Sequence, residues 1–155
     1  MYNGFTMKAV LQRVREANVS VDGRVVGQIG SGLLILLGVH QADKQDDLDW
    51  MFEKVPSLRI FEDDQGKMNR SLIEVGGELL VVSQFTLLGD TRKGRRPSFC
   101  DAMAPESATR IIDQLVVRWR ASGLRVETGV FGAMMDVSLV NAGPVTILLD
   151  SPSSR

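Results

Sequence analysis

The chain has one cysteine, one histidine and one tyrosine among 155 residues. A single cysteine, Cys100, excludes an internal disulfide and gives no reason to invoke an oxidising compartment, so the cytoplasm is the expected location. A catalytic thiolate needs an activating base or cation. The one histidine, His40, is remote from Cys100 in sequence, so Cys100 reads as incidental and His40 as a solvated loop residue. Cysteine and histidine do not recur at ligand spacing, and Glu62-Asp63-Asp64 lacks the alternation of a calcium loop. No metal and no cofactor is therefore expected. No apolar run is long enough to cross a bilayer, and residues 1–6 lack the basic-then-apolar order of a signal peptide. The formal net charge is −1, which excludes a generally basic nucleic-acid coat. Contact with RNA then has to come from local patches.

What is present fits one domain. Hydrophobic residues make up 44% and charged residues 24%, enough apolar material for a core at this length. Residues 1–6 read as a flexible extension, 7–150 as a single domain and 151–155 as a disordered tail. Met7 to Val14 and Ala17 to Val21 read as two short strands, followed by the hairpin turn signal Asp22-Gly23. Arg24 to Ile29 and the continuously apolar Leu33 to Val39 follow, the second as a buried strand. Leu48, Met51, Phe52 and Val55 share one face of a helix expected from Asp43 to Val55, with Asp43 as its cap. Arg59 to Phe61 is strand-like, and Glu78 to Thr86 is a strong strand. Pro105 to Ser122 reads as a second helix, with proline in its first turn and Gly123 past its end. Strands near Arg125 to Gly129, Met135 to Val140 and Val145 to Leu149 complete an α+β domain with mainly antiparallel sheets and two principal helices.

The sequence offers four candidates for chemistry. Gly27 to Gly32 contains Gly-x-x-Gly-x-Gly but opens onto a strand, whereas a dinucleotide loop opens onto a helix; a turn is the better reading. Gly143-Pro144 separates two β-like runs, and a proline without an N–H marks a tight loop there. Such a loop can aim main-chain carbonyls at a ligand. Ser83-Gln84-Phe85-Thr86-Leu87 closes an apolar strand with a polar edge, where Ser83 and Thr86 supply hydroxyl groups. The basic run Arg92-Lys93-Gly94-Arg95-Arg96 reads either as a solvated loop or as a contact for RNA phosphates, which position a nucleic acid without specifying its bases. Taken alone, these residues define a site and no reaction.

The chain resembles the D-aminoacyl-tRNA deacylases from Met7 to about Leu149. The two specific segments are Ser83-Gln84-Phe85-Thr86-Leu87 and Asn141-Ala142-Gly143-Pro144-Val145-Thr146. Flanking matches are Lys8 to Val14, Arg59-Ile60-Phe61-Glu62-Asp63, Gly66-Lys67-Met68-Asn69 and Arg96-Pro97-Ser98-Phe99. The resemblance implies a barrel-like fold and a homodimer with active sites at the subunit interface. It implies hydrolysis of the ester in D-aminoacyl-tRNA, and in glycine mischarged on the tRNA for alanine. By the same likeness Ser83, Gln84, Phe85 and Thr86 line the catalytic pocket. Gly143 and Pro144, with a cis bond between them, enter the partner's pocket and exclude L side chains. Phe131 and Met135 match positions flanking the adenine and the pocket wall, and Arg13 matches a residue that holds the proline loop. Thr86 then positions the substrate, its alternative role being that of nucleophile. Position 142 is Ala where the family frequently has Asp.

Overall fold

A computed structural model describes residues 6–152. Strand β1 (Lys8–Val21) is the axis of the fold. On one side it pairs antiparallel with β2 (Arg24–Ile29) through its second half and with β3 (Gly32–Gly38) through its first. On the other side it pairs antiparallel with the last strand, β8 (Asp136–Asp150). The sheet continues from β3 to β6 (Glu78–Ser83) and then to β7 (Val126–Thr128), both steps parallel. Antiparallel pairing thus dominates around β1, while the far side of the sheet is parallel.

The sheet curls until β2 meets β7 and forms a nearly closed barrel. Gly27 makes that closure possible: a Cβ there would collide with the Thr128 carbonyl oxygen. The turn expected at Asp22-Gly23 is present, with φ positive at both residues (49° and 77°). The connection from β3 to β6 carries α1 (Gln45–Ser57), the small hairpin of β4 (Phe61–Glu62) and β5 (Met68–Arg70), and the short helix α2 (Leu72–Val75). The connection from β6 to β7 carries α3 (Pro105–Ala121).

Both faces of the central strands are buried, which explains the unbroken apolar run in β3. Leu33, Ile35 and Leu37 of β3, with Leu79 and Val81 of β6, face the helices and pack with Leu48, Met51, Leu115 and Trp119. Leu34, Leu80 and Val82 face the other way and pack with Val14, Val19 and Ile29. Side chains alternate across a strand, so neighbouring apolar residues supply both cores.

Several expected boundaries move. The two short strands expected before Asp22 are one strand, because β8 pairs along both halves of β1 and a bulge near Arg15 absorbs the polar Arg15-Glu16 step. The two runs flanking Gly143-Pro144 are likewise one strand, β8. The strand expected to reach Thr86 ends at Ser83, where Gln84 leaves the extended region and Phe85–Leu88 forms a 3-10 turn. Helix α1 begins at Gln45: the Asp43 carboxylate accepts the His40 N–H (2.8 Å), and Asp47 accepts the Lys44 N–H (2.8 Å) at the helix start. The ends of the domain also lie one residue further out than expected. Thr6 and Ser151 are buried and hydrogen-bonded to each other, and Ser151 Oγ donates to Asp47 Oδ1 (2.8 Å). The rest of the expected extension and the end of the expected tail, residues 1–5 and 153–155, lie outside the described residues.

Candidate active site

The end of β6, the start of α3 and the segment between β7 and β8 enclose a cleft of about 650 Å³, a volume within the range that holds small organic ligands. Ser83, Gln84 and Phe85 line it together with Phe131 and Met135 and with Pro105 and Ala108 of α3. The Gln84 N–H donates to the Leu37 carbonyl (2.9 Å) and fixes the point where the chain turns off the sheet. The 3-10 turn that follows closes with the Leu87 N–H on Gln84 O (3.2 Å) and the Gly89 N–H on Thr86 O (3.0 Å). The N–H groups of Phe85 and Thr86 open this turn and have no partner among the described residues. Leading N–H groups of any helical turn are left over by its geometry. The Thr86 hydroxyl accepts from the Gln84 side-chain amide, which ties the two side chains together. Phe85 is 57% exposed, a large apolar ring held at the cleft by an edge-on contact with Phe99 at 5.2 Å.

Five of the residues singled out from sequence therefore meet around one cleft: Ser83, Gln84, Phe85, Phe131 and Met135. Thr86 stands beside it on the turn. Arg13, Gly143 and Pro144 do not line it. They form a second constellation on the barrel wall. Gln12 pairs with Thr146 and Val14 with Asn141, so residues 142–145 stand opposite Arg13 alone and bulge out of the sheet. The Gly143-Pro144 bond is cis, and both residues are exposed. Arg13 holds the base of this bulge. Its Nε donates to the Ala142 carbonyl (3.0 Å), its Nη1 donates to the Ile60 carbonyl (2.9 Å), and its Nη2 lies 3.8 Å from Glu62 Oε1. Asn141 holds the other side, its Oδ1 accepting the Val145 N–H (3.0 Å). Gly143 has φ 134°, and a Cβ there would come within 2.8 Å of Val145 Cγ2 and 3.0 Å of the Arg13 guanidinium. Only glycine fits that position without displacing its clamp.

The basic run forms the tip of a hairpin at the rim of the cleft. Asp90 and Ser98 exchange N–H···O bonds of 2.7 and 2.9 Å and close the loop between them. Arg92 lies back along Asp90 with two parallel contacts (2.9 and 2.7 Å), which hold the Asp90 carboxyl down to about 2. The folded value lies below the ordinary one, so this brace is in place at neutral pH and is lost only as pH falls through about 2. Lys93, Arg95 and Arg96 are exposed and make no ion pair among the described residues. Cys100 is exposed, its sulfur accepting from Ser98 Oγ (3.2 Å). His40 pairs with Ala102 as an isolated bridge, its Nδ1 accepting the Ala42 N–H (3.0 Å). It is thus more structured than the solvated loop residue expected.

Sequence reasoning did not assign Phe99, Met103 or the Ala104–Ala108 stretch to the site. Only the fold brings them to the cleft. The clamp at Asn141 was also missed, although an Asn just before a turn is a known signal for side-chain capping of the backbone.

The profile of a family described as D-Tyr-tRNA(Tyr) deacylase matches residues 10–150. A D-aminoacyl-tRNA deacylase of Kosmotoga olearia is 61% identical over 145 residues, covering 94% of this chain and 97% of the relative. One from Desulfitobacterium hafniense is 59% identical with the same coverage. A solved structure described as a c-Myc DNA Unwinding Element Binding Protein superposes with a TM-score of 0.89 at 41% identity, covering 94% of this chain and 99% of the other. A probable eukaryotic D-amino acid tRNA deacylase shares the fold, with a TM-score of 0.81 at 19% identity and the same coverage. With a profile match spanning nearly the whole domain and relatives near 60% identity, the chain belongs to the D-Tyr-tRNA(Tyr) deacylase family.

Proposed function

We propose that the protein hydrolyses the ester of D-aminoacyl-tRNA to free D-amino acid and tRNA, and rejects the L form with the Gly143-Pro144 bulge of a partner subunit. The observation that carries this reading is the separation of the two constellations. The cleft holds two unpartnered N–H groups and the walls of a ligand site, while the clamped bulge is exposed and away from it. A two-fold dimer unites them, each bulge entering the other chain's cleft. Such a dimer also accounts for β8, which pairs with β1 on one side and with no described strand on the other, and which exposes Val140 and Leu148. A long apolar edge of this kind is normally covered.

The chemistry follows from the cleft. An aminoacyl ester is already activated, and a water held against its carbonyl carbon needs little more than orientation. The N–H groups of Phe85 and Thr86 are the donors for the oxyanion that forms. The terminal ribose 2′-hydroxyl, next to the ester, assists the attacking water, and the 3′-oxygen leaves with a proton. Thr86 positions the substrate. Phe131 and Met135 flank the adenine and the pocket wall.

Selection works by exclusion. Carbonyls of the clamped bulge hold the α-amino group, and the space beside them is closed to an L side chain. A clash of about 3 kcal/mol corresponds to roughly 100-fold discrimination. Main-chain recognition leaves a D side chain unread, so many D-amino acids are accepted. Glycine has no side chain to clash, and its ester on the tRNA for alanine is a further substrate. The setting is cytoplasmic translation.

The test is hydrolysis of matched D-Tyr-tRNA and L-Tyr-tRNA by the native protein and by Pro144→Ala. The native protein should cleave the D ester at least about 100-fold faster, and the variant should narrow that ratio. Equal rates on both esters would sink the chiral reading. Binding of charged tRNA without any hydrolysis would instead favour a nucleic-acid-binding role.

A further inference from the structure

Resting on the deacylase reading, we infer that the hairpin tip between Asp90 and Ser98 grips the backbone phosphates of the single-stranded 3′ end of the tRNA, immediately upstream of the esterified adenosine. The position of the loop argues this first. Phe99 follows Ser98 directly, lines the cleft and packs against Phe85. The loop therefore rises from the cleft's own rim, and a nucleotide chain leaving the cleft on that side passes it before reaching any duplex.

Charge argues it second. The chain as a whole carries −1, yet Lys93, Arg95 and Arg96 lie on one exposed tip, none of them in an ion pair among the described residues, with Asp90 near Lys93 already engaged by Arg92. Arg92 is different in kind. Its guanidinium is engaged on Asp90 and its own N–H donates to Asp90 Oδ1 (3.0 Å), so it stiffens the base of the loop and is not one of the free cations. Arginine forks match phosphate oxygens two at a time, and lysine supplies a point charge. Three free cations on a braced hairpin suit about three successive phosphates.

Counterion release gives this a measurable signature. Each phosphate neutralised on a single strand contributes about −0.7 to the slope of log affinity against log salt, so three contribute about −2. The experiment titrates the full-length protein with the unacylated trinucleotide 5′-phospho-cytidylyl-cytidylyl-adenosine, whose 5′ and two internucleotide phosphates make three, over a salt series. It compares the native chain with the triple variant Lys93→Gln/Arg95→Gln/Arg96→Gln, and with Arg95→Gln alone in case the triple variant folds poorly. A second readout is the ratio of kcat/KM for the D-tyrosyl ester of that trinucleotide to kcat/KM for the D-tyrosyl ester of adenosine. The native chain should show the slope of about −2 and prefer the trinucleotide ester. The triple variant should lose both, and Arg95→Gln about a third of the slope. An unchanged slope and an unchanged ratio would overturn the inference. So would a loss seen only with whole tRNA, which would move the contact to the duplex stem. Should the native chain hydrolyse neither ester, the deacylase reading fails by itself, and the binding slope still decides what the loop does.

Discussion

Phe85 combines two contributions that can be separated. Its ring packs against Phe99, and its main-chain N–H opens the 3-10 turn without a partner. Phe85→Leu retains the N–H and loses the aromatic contact, whereas Phe85→Pro removes the N–H as well. Proline is tolerated at the first position of a helical turn, and Gln84 before it, at φ −145° and ψ 79°, already lies outside the helical region that proline disfavours in its predecessor. If that N–H stabilises the oxyanion, Phe85→Pro should lower kcat on D-Tyr-tRNA by about 100-fold or more, the usual cost of losing one such donor. Phe85→Leu should fall far less. Single-turnover rates at saturating enzyme compare the two. Equal losses in both variants would assign the effect to the ring and remove the donor from the mechanism. Arg13 illustrates the opposite kind of residue, one whose guanidinium touches the backbone of the bulge and reaches no cleft. Its contribution is to keep the Ala142 carbonyl and the residues after it in place.

At the scale of elements, α3 supplies part of the cleft lining through Pro105 and Ala108, and Trp119 anchors α3. Trp119 is fully buried against the helix-side core, and its Nε1 donates to the Phe52 carbonyl of α1 (3.1 Å). The neighbouring Arg118 donates to Asp49 (2.6 Å) and lies over the Phe52 ring at 4.1 Å. Trp119→Ala should cost about 3–5 kcal/mol, from the cavity and the orphaned carbonyl together. For a chain of this length that corresponds to a Tm lower by roughly 10 °C, read by thermal unfolding. A shift of only about 2 °C would show that α1 and α3 are held elsewhere. Elements with their own periodicity were legible in the sequence. The heptad-like stripes of α1 and α3, the Asp22-Gly23 turn and the apolar run of β3 all follow from local pattern. The short helix α2, opened by the capping box of Ser71 and Glu74, was not anticipated, because a single turn carries little periodicity. The continuity of β1 and β8 was not legible. Arg15-Glu16 and Gly143-Pro144 look like breaks locally, and only pairing between strands more than a hundred residues apart carries the chain through both. The same distance hides Phe99 and Met103 from the site. Their side chains carry no local signature, and it is the return of the chain into α3 that brings them to Ser83.

At the scale of the whole molecule, the division between cleft and bulge makes a quantitative demand. If each active site takes its cleft from one chain and its bulge from the other, a defect in either can be complemented by a chain carrying the other defect. Pro144→Ala disturbs the bulge whose carbonyls hold the α-amino group and so lowers turnover of the D ester as well as selectivity, and Phe85→Pro disables the cleft. A heterodimer of the two then has one site built from two damaged parts and one built from two intact parts. After the two variants are unfolded together and refolded as an equal mixture, half of the dimers are mixed. One of their two sites is whole, so activity on D-Tyr-tRNA should return to about a quarter of the native value under two-fold symmetry. Each variant refolded alone should stay near its own residual rate. Sedimentation of the native protein should give a dimer, and Leu148→Glu, which puts a charge on the exposed edge of β8, should shift it towards monomer and reduce hydrolysis in proportion. A monomeric native protein with full activity would refute the shared site. So would a mixture no more active than the mean of its parents, because a site complete within one chain gains nothing from an intact bulge on its neighbour.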